Sequence, residues 1–434
     1  MTLATETIMA GKPTLRQATP VWAEIGVLSF GGPAGQIALM HRVLVDERRW
    51  IGEEQFLHAL NFCMLLPGPE AMQLATYVGW RLHGVIGGLV AGLLFVLPGA
   101  AVILTLSIAY ALYGNVPLVE AAFVGIKAAV LVIVLEALLR VARRALKRPV
   151  HWVLAAASFI AIFFFDAPFP AIIAVAALIG FAIADPSSKA KPLRVDPIPV
   201  TRTLQTVMIW LAIWTLPLLA VALFFGRDHT LTEVAIFFSK LAVVTFGGAY
   251  AVLAYMAQQA VETYGWLDAG EMLDGLGLAE TTPGPLILVT EFVGFVAGYR
   301  QGGQPQLAFG ILGAVITLWA TFAPCFLWIF AAAPYLERVG ANPKLAGALS
   351  SVTAAVVGVI LNLSLWFALH ALFAVVEPRW HGPLRLWTPD PATLSVITVA
   401  LALLAGVLLL VLRWNILATL AITASAALLS ANLF

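Results

Sequence analysis

Two stretches of this chain carry the same helix-breaking residues within apolar sequence, and this repeated pattern limits the folds open to it. Each copy has a Phe-Gly-Gly segment, then a tryptophan, then a Pro-Gly-Pro segment. Residues 30–32 correspond to 246–248, Trp50 to Trp266, and 67–69 to 283–285. In each of these pairs the second member lies 216 residues after the first. Three landmarks in one register predict that the chain is a duplication. Proline removes a backbone donor and glycine tolerates the dihedral angles at which helices stop, so each copy should contain broken helices.

The composition indicates the solvent around these helices. Only 11% of the 434 residues are charged and 61% are hydrophobic, whereas soluble domains are about 25% charged. Many segments also reach the roughly 20 apolar residues that cross a bilayer core. The sequence therefore predicts a polytopic membrane protein. The net charge of +1 carries no information about nucleic acid, but the lack of a basic patch argues against a nucleic-acid partner.

The order of the apolar segments predicts two broken units among several continuous spans. Residues 20–82 and 231–299 should each hold two pairs of short helices with their tips inside the membrane. Irregular backbone is tolerated there only against protein or a water-filled cavity. Continuous or hairpin spans are predicted at 85–112, 116–139, 150–184, 204–225, 306–333, 346–374, 391–412 and 414–433, with a polar loop at 377–390.

The distribution of Lys and Arg predicts opposite orientations for the two copies. The basic segments 140–148 and 185–203 should be cytoplasmic. Residues 42–49 carry three arginines, whereas the equivalent segment 258–268 has no Lys or Arg. The predicted fold class is thus an all-α polytopic membrane protein with two inverted-topology repeats, whose broken half-helices meet near the midplane, as in secondary transporters. The predicted domains are 1–184, a cytoplasmic linker at 185–203, and 204–434.

Broken helices expose the groups that bind anions. The N-terminus of a helix has unpaired N–H donors and about half a positive charge. Two such ends from each copy could hold one small anion, although the breaks could also be simple kinks. The residues predicted to bind the substrate are Phe30, Gly31, Gly32, Pro33, Gln36, Pro67, Gly68, Pro69, Lys240, Phe246, Gly247, Gly248, Thr281, Thr282, Pro283, Gly284 and Pro285.

Glu24 and Lys240 occupy matched positions, each six residues before the phenylalanine of its copy. Intramembrane charges are costly and are by default candidates for function. Three interpretations remain open at this point. The two side chains could pair with each other; Lys240 could contact the anion while Glu24 carries a coupling proton; or both could extend to the membrane surface.

Other ionisable residues within apolar sequence are further candidates for coupling. Lys127 is either a charge on the pathway or a partner for Glu120 or Glu136. Glu291 is a candidate proton carrier, and Glu70 is better explained as a cap on the helix that follows Pro-Gly-Pro. The two cysteines, Cys63 and Cys325, lack metal-ligand spacing and are predicted to be unreactive core thiols.

Together these motifs resemble the chromate transporter family. The first half matches in Phe30-Gly31-Gly32-Pro33, Arg48-Arg49-Trp50, Leu65-Leu66-Pro67-Gly68-Pro69 and Leu97-Pro98, and the second in Thr245-Phe246-Gly247-Gly248, Gly265-Trp266-Leu267, Thr282-Pro283-Gly284-Pro285 and Phe292-Val293-Gly294. The resemblance covers about residues 20–376. It implies a multi-pass protein of the bacterial inner membrane that exports chromate and confers resistance to it, with sulfate as a competitor.

Several alternatives to chromate export stay open from the sequence. A sulfate or other oxyanion transporter or an anion channel could use the same half-helix site. A membrane-bound reductase is disfavoured because no cofactor motif is present, and no cofactor or metal is expected. A dianion leaving a negative cell gains about 4.6 kcal/mol per 100 mV, so export could run without ATP. The oligomeric state is open, a homodimer included.

Overall fold

The computed structural model describes residues 12–114, 116–184, 200–246, 249–335 and 343–431. In the first half, the helices are α1 (Leu15–Leu28), α2 (Gly32–His41), α3 (Glu53–Cys63), α4 (Glu70–Tyr113), α5 (Pro117–Ala145), α6 (Pro149–Phe165) and α7 (Phe169–Ile183). In the second half they are α8 (Val200–Phe225), α9 (Thr230–Val244), α10 (Ala249–Gln258), α11 (Ala269–Thr281), α12 (Val289–Gln301), α13 (Gln306–Ala332), α14 (Pro343–Leu372), α15 (Val396–Gly406) and α16 (Ile416–Ala431). The described chain is thus overwhelmingly helical.

Five of these helices are long and apolar enough to cross a membrane: α4, α5, α8, α13 and α14. The apolar helices α6, α7, α15 and α16 are shorter. Helix α4 is bent sharply at His83 and Gly84, where Gly84 has φ +63°. Its first part therefore belongs to the segment after Pro-Gly-Pro, and its second part is a long span. These helices confirm an α-helical, polytopic membrane protein.

Helices end where the sequence carries its breakers. Helix α1 ends at Leu28 and α2 begins at Gly32, because Gly31 adopts φ +84° and Gly32 φ +68°. Gly68 at φ +122° separates α3 from α4 in the same way. Such angles are open to glycine and strained for other residues.

The duplication extends to local backbone structure. Both α2 and α10 continue into a π-helical turn, and both turns are followed by a residue with positive φ and then a tryptophan. The two π-helical turns are Arg42–Glu47 and Gln259–Thr263, and the residues with positive φ are Arg49 (53°) and Gly265 (59°). The backbone N–H of each tryptophan also donates back into its turn region: Trp50 N to Leu44 O at 2.8 Å, and Trp266 N to Ala260 O at 2.9 Å. Such agreement indicates one ancestral unit used twice.

The predicted polar loop at 377–390 is instead a β-hairpin. Strands β1 (Val376–His381) and β2 (Leu384–Pro389) pair antiparallel around a turn in which Gly382 has φ +63°. Arg385 of β2 is only 4% exposed, and its Nη1 lies 3.0 Å from Asp166 Oδ1 and 3.1 Å from Glu262 Oε2. The loop prediction was wrong because ion pairs with distant segments hold the polar residues of 376–389 against the rest of the protein. Hydropathy does not detect such long-range contacts. The described chain is therefore not strictly all-α.

Small residues permit close packing of the long helices on the broken units. A Cβ on Gly79 would lie 2.4 Å from Gly87 O, and a Cβ on Gly294 would lie 2.8 Å from Gly313 O. Contacts through glycine are typical of helices that approach closely in membranes. They bring the loops of the broken units against α4 and α13.

Candidate functional site

The breaker loops of the two halves are hydrogen-bonded to each other. The Gly68 amide donates to the Thr245 carbonyl at 2.9 Å, and the Gly284 amide donates to the Ser29 carbonyl at 2.9 Å. Residues 68 and 284 are equivalents in the repeat, and so are 29 and 245. Each Pro-Gly-Pro loop is thus held by the segment just before Phe-Gly-Gly in the other half.

The two long helices that carry internal prolines also meet these loops reciprocally. In α4, Gly99 follows Pro98, and a Cβ there would lie 2.2 Å from Pro283 O. In α13, Cys325 follows Pro324, and its Sγ lies 3.0 Å from where a Cβ on Gly68 would stand. Each loop therefore lies between the other half's long helix and its Phe-Gly-Gly segment.

Several helices begin at these loops without a side-chain cap. Neither α2, after Gly31, nor α4, after Pro69, has one, and the short 3₁₀ turn Leu286–Leu288 that precedes α12 lacks one too. By contrast, α1 and α11 begin with capping boxes on Thr14 and Asp268. Uncapped N–H groups at helix starts are the donors an anion requires.

Two buried glutamines hold the loops. Gln36 donates from Nε2 to Gly284 O at 2.6 Å, across the halves, and Gln73 donates to Pro67 O at 2.7 Å. Both side chains are at most 1% exposed. The side-chain amide nitrogen of Gln36 is thus used in a hydrogen bond to the Pro-Gly-Pro loop of the other half, so in this conformation Gln36 positions that loop. Sequence reasoning did not single out Gln73 as a site residue, although it lies four residues after Pro69.

The predicted hydroxyl ligands are already engaged. Thr281 donates to Leu278 O at 2.7 Å and Thr282 to Ala279 O at 2.9 Å, both within their own helix. The amide of Gly284 is engaged as well and the prolines have no N–H, so the available backbone donors lie at the uncapped start of the turn Leu286–Leu288. Thr282 and the following Pro-Gly-Pro are buried, whereas Phe30, Gly31 and Gly68 of the first half are exposed or half-buried. Gly247 and Gly248 lie outside the described residues.

Glu24 and Lys240 do not pair. Both are exposed, and neither forms an ion pair with any residue that the structure describes. The reason is helical periodicity: the buried side of α1 carries Val21, Trp22 and Ile25, which turns Glu24 outward. Lys240 is likewise outside the buried side of α9. Of the three interpretations, the pairing of Glu24 with Lys240 is not found in this structure, and both side chains are exposed.

Lys127 has a partner that the sequence did not indicate. Its Nζ lies 3.3 Å from Oδ2 of Asp274 on α11, not near Glu120 or Glu136. Tyr110 donates to the same oxygen at 2.9 Å. The Asp274 side chain is 4% exposed, so this cluster of α4, α5 and α11 relieves a charge that would otherwise be buried alone.

A second polar cluster lies beside the Pro-Gly-Pro loop of the second half. Tyr250 donates to Glu280 Oε1 at 2.8 Å, and the Glu136–Arg140 pair of α5, whose atoms are 2.6 Å apart, lies within electrostatic range of Glu280. Sequence analysis treated Arg140 only as part of a basic cytoplasmic segment. Its spacing of four residues from Glu136 was the available signal for the ion pair.

Glu291 is the most unusual acidic residue of the interior. It is 0% exposed, and neither carboxyl oxygen has a hydrogen-bond partner. Helices α12 and α13 are antiparallel, with Gly298 against Phe309 and Gly294 against Thr317. One further turn therefore brings Glu291 towards Thr321, whose hydroxyl is buried and unpartnered like that of Thr317.

Glu262 lies in a π-helical turn near the surface, whereas the two cysteines lie in the core. Burial raises the pKa of Glu262 above its ordinary value, although the Arg385 guanidinium acts in the opposite direction. Cys63 and Cys325 are buried and free, which agrees with their assignment as core thiols. Among the described residues, no group of three or more His, Cys, Asp or Glu side chains could hold a metal ion.

Uncapped helix starts at loops within a polytopic helical membrane protein are features suited to a transport protein for small solutes. The model of one family, described as "Chromate transporter", matches residues 17–181 and 232–430. The chain belongs to this chromate transporter family, and the family assignment confirms transport rather than catalysis.

Curated relatives agree with the family. The chromate transport protein of Cupriavidus metallidurans is 27% identical over 90% of this chain and 88% of its own length. That of Pseudomonas aeruginosa is 33% identical over 78% and 77%, and a probable chromate transport protein of Synechococcus elongatus is 30% identical over 80% and 83%. No solved structure matches the chain.

Proposed function

We propose that this protein exports chromate from the cytoplasm across the bacterial inner membrane and thereby confers chromate resistance. The observation that carries the proposal is the reciprocal bonding of the loops, Gly68 to Thr245 and Gly284 to Ser29. It brings the uncapped starts of α2 and α4 together with the second-half loop, which suits one small oxyanion. Membrane potential supplies the drive, because an exported dianion gains about 4.6 kcal/mol per 100 mV.

The proposal includes an inverted arrangement of the two halves, 1–184 and 204–434, joined by the linker 185–203. Contacts support it by sorting the connecting segments into two groups. Thr203 contacts Tyr335, and Lys344 lies over Phe181. Ser350 of the helix that carries Lys344 lies 3.4 Å from His151, which contacts Ala145 O at 2.9 Å, so these segments group with the basic one at 140–148. A separate group joins Asp166, Gln258 and Arg385. Trp50 and Trp266 would then lie at opposite membrane faces. The part of the linker at 185–199 lies outside the described residues.

Labelling of single cysteines tests the inversion. We expect Lys147→Cys to react with a membrane-impermeant thiol reagent only from the cytoplasmic side, and Thr263→Cys only from the outside. Both native side chains are exposed, and the native cysteines are buried and should not react. Labelling of both positions from one side would contradict the inverted arrangement.

Binding at the loops relies on backbone donors more than on side-chain charge. The predicted residues from Phe30 to Pro33, from Pro67 to Pro69 and from Thr281 to Pro285 remain the proposed substrate contacts, with Gln36 holding the loops in register. Because the hydroxyls of Thr281 and Thr282 and the amides of Gly68 and Gly284 are engaged, N–H groups at the uncapped starts of α2, α4 and the turn Leu286–Leu288 provide the main attraction. Tetrahedral sulfate has the same charge and shape and is the expected competitor.

Coupling to protons is proposed for Glu291. Its buried, unpartnered carboxyl carries the argument, since a charge at that depth costs at least about 2.5–3.5 kcal/mol and the neutral acid avoids this cost. Lys127, fixed to Asp274, and Glu24, on the exposed side of α1, are weaker candidates for this role. Protonation and release at Glu291 would link a proton to each transport cycle.

Reconstituted vesicles test the transport proposal. We expect saturable chromate movement, competition by sulfate, and counterflow of trapped chromate. A conductance without counterflow would replace the carrier by a channel, and sulfate uptake in preference to chromate export would overturn the substrate. The same vesicles test Lys240: if Lys240→Met transports at the normal rate, Lys240 does not contact the anion.

A further inference from the structure

A cavity unrelated to the joined loops lies at the other end of the first broken unit. It has a volume of about 410 Å³ and is lined by Lys12, Trp50, Ile51, Trp80, Arg81 and Leu82, among others. Lys12 is held in place because the carbonyl of the next residue, Pro13, accepts a hydrogen bond from His83 Nε2 at 2.6 Å. The cavity thus combines two cations at its edge with an aromatic and aliphatic wall.

Both cations are accessible to a ligand from solvent. Lys12 and Arg81 are exposed, and neither forms an ion pair with a described residue. Trp50 and Ile51 are at most 8% exposed and form the apolar floor. An anion with a hydrocarbon portion would satisfy both surfaces, whereas a small inorganic dianion would leave the apolar wall without a partner.

Within the described part of the second copy of the repeat, the equivalent positions do not form such a site. The repeat offset is 215 in this part of the chain, where Val78-Gly79 aligns with Val293-Gly294. The positions equivalent to Trp80, Arg81 and Leu82 are therefore Phe295, Val296 and Ala297, which are 0%, 4% and 0% exposed. Trp266 is also fully buried and stacks on Tyr264 at 4.4 Å between ring centroids. The cationic cavity therefore belongs to one membrane face alone.

We propose that this cavity binds the headgroup of an anionic phospholipid, with the phosphate between Lys12 and Arg81 and the glycerol and upper acyl region against Trp50, Ile51 and Leu82. The assignment of the cavity to the cytoplasmic face rests on the proposed inverted arrangement. That leaflet carries the anionic lipid, and tryptophan is typical of the membrane interface.

Native mass spectrometry of the purified full-length protein tests this site directly. Phosphatidylglycerol should be retained in preference to phosphatidylcholine. We expect Arg81→Gln and Lys12→Gln each to weaken phosphatidylglycerol binding about five-fold, and the double variant about thirty-fold. Lys147→Gln is the matched control, because it removes an exposed cation of the cytoplasmic face that does not line the cavity, and it should leave binding unchanged.

Three results would overturn the proposal. The first is equal retention of the two lipids by the unmodified protein. The second is phosphatidylglycerol binding by the double variant that equals that of the unmodified protein. The third is loss of chromate or sulfate binding in the double variant while lipid binding persists. The first needs no variant and so does not depend on variant folding. Lipid retention is measured in detergent, so its result does not depend on the transport and labelling experiments. If the labelling contradicted the inverted arrangement, the cavity would be assigned to the other leaflet, but the lipid site itself would remain.

Discussion

Replacing Gly99 with alanine should lower the initial rate of chromate transport about five- to 150-fold, which corresponds to the ~1–3 kcal/mol cost of overpacking a tight contact. The new Cβ would lie 2.2 Å from Pro283 O and 2.6 Å from Leu288 Cδ1. Because the first of these atoms is backbone, the loop itself must move. That movement would strain the bond from Gly284 to Ser29, which holds the two halves together at the proposed site.

Gly406→Ala is the matched control for this experiment. Gly406 is also helical, and nothing lies within 4 Å of the position of its added Cβ, so this variant should transport normally. Alanine favours helix over glycine at both sites, which removes helix propensity as an explanation for any difference. A Gly99→Ala rate within two-fold of the unmodified protein would show that the position of the Pro-Gly-Pro loop does not control transport.

Replacing Glu291 with glutamine should abolish the response of chromate transport to a pH gradient and leave transport driven by membrane potential. Glutamine copies the neutral acid in shape, so the buried site should stay folded. One pH unit across the membrane is worth up to about tenfold per coupled proton, and the variant should lose this factor entirely. The measurement compares transport rates in vesicles with and without the gradient at a fixed potential.

Glu120→Gln provides the comparison for Glu291. Glu120 is an exposed acid in the first turn of α5, and its replacement should preserve the response to the pH gradient. If Glu291→Gln responds to the gradient like the unmodified protein, the buried carboxyl has no part in coupling. The proposal of chromate transport at the joined loops would survive that result.

Local sequence signals predicted the helix boundaries well. Glycines 31, 32 and 68 mark the ends of helices because their left-handed angles are a property of single residues. The hydropathy of α4, α5, α8, α13 and α14 is likewise visible within one window of sequence. The presence of a repeat could be read from spacing alone, and the repeated π-helical turns agree with it.

Partners distant in the sequence could not be predicted in this way. The pairing of Lys127 with Asp274 joins α5 to α11, and the bond from Gln36 to Gly284 spans 248 residues. Glu24 and Lys240 occupy equivalent positions, but equivalence in sequence does not fix the direction in which a helix side faces. These contacts depend on how whole helices are arranged, which charge and spacing do not encode.

On the proposed inverted arrangement, the hairpin at 376–389 should stabilise the closed form of one membrane face. Arg385 ties Asp166, between α6 and α7, to Glu262, in the π-helical turn of the second broken unit. A transporter built from two inverted repeats exchanges most easily between its outward-facing and inward-facing states when these two states have nearly equal free energy. A clamp at only one face raises the free energy of every state in which that face opens, and each 1.4 kcal/mol of such bias changes the ratio of populations about tenfold. The resting population should therefore be closed on the hairpin's side, so that the cycle begins from the opposite face.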